Sequence, residues 1–155
     1  MSLAPIKKTV EVPLAPKDAF TLFTEKMDTW WPLETKGVSV SRGLPPSSEI
    51  RIEAREGGRV VEILANEEEA LWGEILEWAP GERFRMTWCP GRTADMPTEV
   101  AVTFVEIGNG TRVELVHSGF EAYAGGAEIK GMYSDGWEVL MGTLFARAAG
   151  AHVAA

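Results

Sequence analysis

The sequence predicts an α+β fold in which a curved antiparallel sheet of about seven strands packs against one long C-terminal helix. Three observations predict it. Between residues 50 and 118, short apolar-alternating segments follow one another across tight turns, as an antiparallel meander requires. From Ala127 to Ala149 the apolar spacing changes to three and four residues. A strand and a short helix stand ahead of the meander, so helices and strands are segregated along the chain and do not alternate.

Taken in order, Ile6 to Val12 read as the first strand, punctuated by Pro13 and Pro16. Pro16-Lys17-Asp18-Ala19-Phe20 opens a helix, because proline suits a first turn whose N–H has no partner to lose. Its apolar stripe is Ala19, Phe20, Leu22, Phe23 and Met27, and it stops before Trp30-Trp31-Pro32, since the residue before a proline avoids helix. Residues 32–48 are rich in turn formers and read as irregular. Ile50 to Ala54, a Gly57-Gly58 turn and Arg59 to Leu64 form a hairpin. Leu71 to Trp78, Arg83 to Trp88, Thr98 to Ile107 and Thr111 to Ser118 continue the meander, with Glu67-Glu68-Glu69 in a solvated turn. In the last helix Ile129, Tyr133, Trp137, Leu140, Met141, Leu144 and Ala148 make the buried stripe. Gly131, Gly136 and Gly142 each weaken a helix by about 1 kcal/mol against Ala. They point either to a late start capped by Asp135 or to close approach of helix and sheet. The tail Gly150 to Ala155 is expected to fray.

Composition narrows the function classes. The 155 residues are 45% hydrophobic and 25% charged, which fits one globular domain spanning 1–155. A net charge of −8 disfavours nucleic acid and anionic membranes, both of which present negative charge. A single cysteine, Cys89, excludes an internal disulfide and a cysteine metal cluster, and His152 in the tail gives His117 no partner for a metal. The N-terminus lacks a signal-peptide core and no segment reaches membrane-span length, so a cytoplasmic location is expected. Motifs for a serine nucleophile elbow, a phosphate loop or a dinucleotide fold are absent, so no catalytic residue, metal or cofactor is assigned.

Several stretches carry a resemblance. They are Phe23-Thr24 through Trp30-Trp31-Pro32, Gly57-Gly58-Arg59-Val60-Val61-Glu62, Trp72-Gly73-Glu74-Ile75-Leu76-Glu77-Trp78-Ala79-Pro80, Thr87-Trp88, His117-Ser118-Gly119-Phe120 and Gly136-Trp137-Glu138-Val139-Leu140. In this order they resemble the START-like (SRPBCC) superfamily and, within it, the family named for the activator of heat-shock protein 90 ATPase. The resemblance implies the helix-grip fold of the birch-pollen allergen, a curved sheet wrapped around the C-terminal helix. It implies a cavity between sheet and helix that binds a small hydrophobic molecule. Its other members imply two alternatives, an aromatase/cyclase-like or hydrolase-like enzyme using the same cavity and a co-chaperone-like interaction protein. A monomer or weak homodimer is expected, and binding without catalysis is favoured.

The candidate site residues follow from strand phase and helix spacing. Val113, Leu115 and His117 share the inner face of a strand, where a histidine acts as general base, orients a ligand carbonyl, or is a core residue bonded to nearby backbone or hydroxyl. Glu62 is either a solvent-facing carboxylate or a buried one needing a partner such as Arg51 or His117. Phe84, Met86 and Trp88 on one strand face, with Tyr133, Trp137 and Met141 on the helix, form aromatic walls for a ligand or an ordinary core. Trp30-Trp31 cannot both point inward from a regular strand. One, with Trp30 taken as the site residue, is therefore expected at the pocket mouth or surface.

Overall fold

The computed structural model describes residues 4–88, 98–120 and 126–154. Cys89 and the side chains of Ile129 and His152 lie outside what it describes. The strands are β1 (Ile6–Val12), β2 (Glu49–Ile52), β3 (Arg59–Ile63), β4 (Glu69–Ala79), β5 (Arg83–Trp88), β6 (Thr98–Ile107) and β7 (Gly110–Ser118). They form one curled antiparallel sheet in the order β1-β7-β6-β5-β4-β3-β2. The meander is therefore sequential, and β1 closes against the last strand.

Period-two alternation selects the inner face. Phe84, Met86 and Trp88 on β5, Val100, Val102 and Phe104 on β6, and Val113, Leu115 and His117 on β7 are all buried. The register lines them up across strands: Met86 faces Val100, which faces His117, which faces Ile6. Curvature comes from two irregularities flanking the middle of β4, one opposite Val60/Val61 and one at Ile75/Glu77. Gly73 sits between them. A Cβ there would lie 1.8 Å from the Thr87 carbonyl oxygen, so only glycine lets β5 pass that close.

Helix α1 (Pro16–Phe23) begins at Pro16 as expected and buries Ala19, Phe20, Leu22 and Phe23. It ends earlier than its apolar stripe, and a 3-10 turn at Met27–Thr29 buries Met27. The segment expected to be irregular holds two short helical turns, α2 (Leu33–Lys36) and α3 (Val38–Ser41). Glu69 belongs to β4, not to the preceding turn. The C-terminal helix is continuous from α4 (Gly126–Val139) through a π-helical segment at Leu140–Phe145 into α5 (Ala146–Ala154). It neither waits for an Asp135 cap nor frays at Gly150. Its glycines are not sheet contacts either. Gly131 faces open space, Gly136 approaches only the Lys36 ammonium and Gly142 only Glu138.

The interior has two halves. Phe20 and Phe23 from α1 pack on Phe84 and Phe104 of the sheet, and Phe23 also meets Phe145 of the helix. Trp31, Trp72, Trp88 and Trp137 make a second cluster with ring centroids 4.9–5.9 Å apart. Each such aromatic pair adds about 0.5–1.5 kcal/mol beyond area burial.

Candidate functional site

At the tryptophan cluster the interior does not close. Trp31, Lys36, Trp88, Met132, Tyr133, Trp137 and Leu140 surround a cavity of about 170 Å³ between the sheet, α2 and α4. Lys36 and Met132 are exposed, so the cavity opens to solvent on their side. A larger surface hollow of about 570 Å³ lies between the Pro13–Pro16 turn and Glu106–Gly110. It sits beyond the opposite end of β7 from His117, and it has neither an aromatic wall nor a cluster of titratable groups.

Trp88, Tyr133 and Trp137 are the sequence candidates that line this cavity. The remaining six lie elsewhere. Phe84 belongs to the phenylalanine cluster, and Met86 packs over Gly73. Met141 faces a separate surface groove formed with β1 and Glu138. Trp30 is buried on Phe23 and Phe145, and its indole N–H donates to the Leu22 carbonyl at 2.9 Å. Contrary to expectation, both tryptophans of the pair are inside, at 6% and 8% exposure. They follow a 3-10 turn, which frees them from the two-sided alternation of a strand.

His117 is fully buried one layer behind the cavity wall, with Phe120 and Tyr133 against its ring. The Trp137 indole N–H donates to His117 Nδ1 at 3.0 Å. An indole nitrogen is only ever a donor, so Nδ1 is the acceptor and the ring proton sits on Nε2. That proton goes to Thr98 Oγ1 at 2.6 Å, and the Thr98 hydroxyl donates to the Trp88 carbonyl at 3.0 Å. Burial pushes the imidazole pKa down to about 3. Protonating Nδ1 would also set two N–H groups against each other. In this arrangement neither ring nitrogen is open to a substrate. The histidine instead ties together two cavity walls, the Trp137 side chain and the Trp88 backbone.

Glu62 is fully buried, so it is not a solvent-facing carboxylate. Neither expected partner reaches it. Arg51 pairs with Glu49 on the surface, and the His117 nitrogens are taken by Trp137 and Thr98. Its Oε1 accepts the Val38 N–H at 2.8 Å and the Trp72 indole N–H at 3.2 Å, while Oε2 accepts the Ser39 N–H at 3.0 Å and the Ser47 hydroxyl. The first two residues of α3 are thus pinned to β3. Gly37 is part of the same device, because a Cβ there would lie 3.0 Å from Oε2 and 2.8 Å from the Leu33 carbonyl. Anchored beside it, Lys36 and Trp31 form one wall of the cavity.

Two buried polar atoms of the lining residues are left over. The Nε1–H groups of Trp31 and Trp88 are buried and have no acceptor among the described residues. A buried donor without a partner costs about 1–3 kcal/mol, a sizeable share of the roughly 5–15 kcal/mol that stabilises a domain. Lys36, Met132 and Leu140 are absent from the sequence candidates, and of the Trp30-Trp31 pair it is Trp31, not Trp30, that lines the cavity. Leu140 and Met132 were legible from helix spacing relative to Trp137 and Tyr133, whereas Trp31 and Lys36 reach the cavity from a segment without periodicity. Among the described residues no group of three or more His, Cys, Asp or Glu side chains is placed to hold a metal ion. No helix of the described residues is long and apolar enough to cross a membrane.

Comparison with known proteins places this geometry in a family. No curated protein matches the chain. Among solved structures it is similar to an anthrahydroquino-γ-pyrone synthase, Txn09 complexed with SUM, at 31% identity over 83% of this chain and 85% of that one, with a TM-score of 0.59. CalU16 from Micromonospora echinospora shares 19% identity over 92% of this chain and 71% of its own, with a TM-score of 0.63. The Aha1 dimer from Colwellia psychrerythraea shares 13% identity over 92% and 93%, with a TM-score of 0.64. The last two are likenesses of fold. The sequence profile described as activator of Hsp90 ATPase homolog 1-like protein matches residues 13–149, nearly the whole of the sheet and its helix, and the chain belongs to that family.

Proposed function

We propose that the chain binds a small, largely aromatic molecule in the cavity between α4, α2 and the sheet. The observation that carries this reading is the cavity itself: about 170 Å³ lined by three tryptophans, a tyrosine and a leucine, with Lys36 and Met132 at its opening. Apolar cavities near 150 Å³ hold a single benzene ring, so the space suits a small aromatic body. Naphthalene is a suitable neutral probe. It raises the melting temperature by about 3 °C at ten times Kd. Met132→Trp abolishes this by closing the rim, and because Met132 is 59% exposed the change leaves the core intact. Unchanged melting of the parent protein at naphthalene saturation contradicts the reading.

A reaction on the bound molecule is the second reading, favoured by the 31% identity with a synthase. His117 enters such a reaction only as a positioning residue while Trp137 and Thr98 hold both nitrogens. A monomer or weak homodimer remains the expected state, read by sedimentation velocity across a concentration series.

A further inference from the structure

Two glycines of α4 answer no demand of the backbone or of packing. Gly131 and Gly136 are helical, and neither has a positive φ. A Cβ on residue 131 would meet nothing within 4 Å, and one on residue 136 would meet only the Lys36 ammonium, at 3.8 Å. Alanine fits at both positions and is the better helix former, so glycine here does nothing but soften the helix.

Burial along the same helix is uneven. Among the described side chains of residues 127–136 none is buried, and Met132 is 59% exposed. Burial begins at Trp137, which is 1% exposed and tied to His117 through its indole N–H, and it continues through Leu140, Met141, Phe145 and Ala149. The helix is thus anchored from Trp137 onward. Its first half meets the interior through Tyr133, whose ring lies on His117 and Phe120. Weak helix formers and little buried apolar surface are the marks of a segment that opens locally. That segment also covers the cavity, because Met132 and Tyr133 are part of its lining.

Resting on the binding reading above, we propose that the first half of α4, up to Gly136, is the gate of the cavity. It unwinds to let the ligand pass and re-forms over it, while Trp137 and the residues after it stay in place.

The test pairs Gly131→Ala with Gly136→Ala in the full chain, which favours the closed helix without changing a lining residue. Together the two substitutions are expected to lower the open population about tenfold. Entry and release both pass through the open state. The association and dissociation rates of naphthalene are therefore each expected to fall about tenfold, with Kd unchanged. Line shapes and relaxation dispersion of the nitrogen-15 indole signal of Trp137 during the titration give both rates. In the free chain, amides 131–136 are expected to exchange with solvent at least about tenfold faster than those of Phe145 to Ala149, and to slow about tenfold in the variant. Unchanged rates in the variant, a Kd that changes while the dissociation rate does not, or amides 131–136 as protected as Phe145 to Ala149 would each overturn the proposal. If naphthalene still binds in any of these cases, the cavity remains a ligand site and only its gate is lost. If naphthalene does not bind the parent chain, both readings fall.

Discussion

His117 shows what a buried histidine does when both nitrogens are engaged. Its pKa of about 3 in the folded chain lies below the 6.5 expected when unfolded. Between those values the unfolded state holds the extra proton. Stability therefore falls as pH drops from about 6.5 towards 3 and is independent of this group above that window, with a slope of up to about 1.4 kcal/mol per unit. His117→Gln removes the titration. In urea unfolding from pH 7 to pH 4, the advantage of the parent over the variant is expected to shrink by about 1 kcal/mol per unit below pH 6. A constant difference would show that the histidine does not resist protonation. The inward position of His117 was legible from its phase with Val113 and Leu115. Its partners were not, because Thr98 and Trp137 come from another strand and from the helix, 19 and 20 residues away.

Among the elements, α3 is held by one side chain. Glu62 satisfies four donors from α3, β4 and the Ser47 loop, so Glu62→Ala leaves them all buried without an acceptor. We expect a loss of about 3–5 kcal/mol in chemical denaturation and faster amide exchange at Val38 and Ser39. Gly37→Ala pushes a methyl against the Leu33 carbonyl and Glu62, and should cost about 1–3 kcal/mol. Ordinary exchange at Val38 in Glu62→Ala would mean that α3 stands without its anchor. The segment reads as irregular in the sequence because turns of four residues have no periodicity to detect, and α3 is anchored by a carboxylate about two dozen residues away. The C-terminal helix shows the opposite case. Its existence was legible, and so were Trp137, Leu140 and Met141 on its buried face, but that face continues through Phe145 and Ala149, with Leu144 and Ala148 only partly covered. A strict four-residue repeat drifts about 40° per step on an α-helix. The π-helical segment at Leu140–Phe145 widens the turn and returns that face to the sheet, which shifts the stripe by one residue after Met141.

Across the whole molecule, strand order and the covering helix were legible because alternation, turn residues and helix spacing all pointed to one arrangement. The division of the interior into a filled phenylalanine half and an open tryptophan half was not. It arises where α1 plugs one end and α2 with α4 leave a gap at the other. That gap is the central claim, and the chain contains its own reporters. Trp31, Trp88 and Trp137 line the cavity, while Trp30 and Trp78 pack with the phenylalanines. The most direct measurement is the indole nitrogen-15 spectrum of the full chain during titration with naphthalene. The account predicts saturable shifts at Trp31, Trp88 and Trp137, with Trp30 and Trp78 unmoved. Shifts confined to Trp30 and Trp78, or none at saturation, would contradict it.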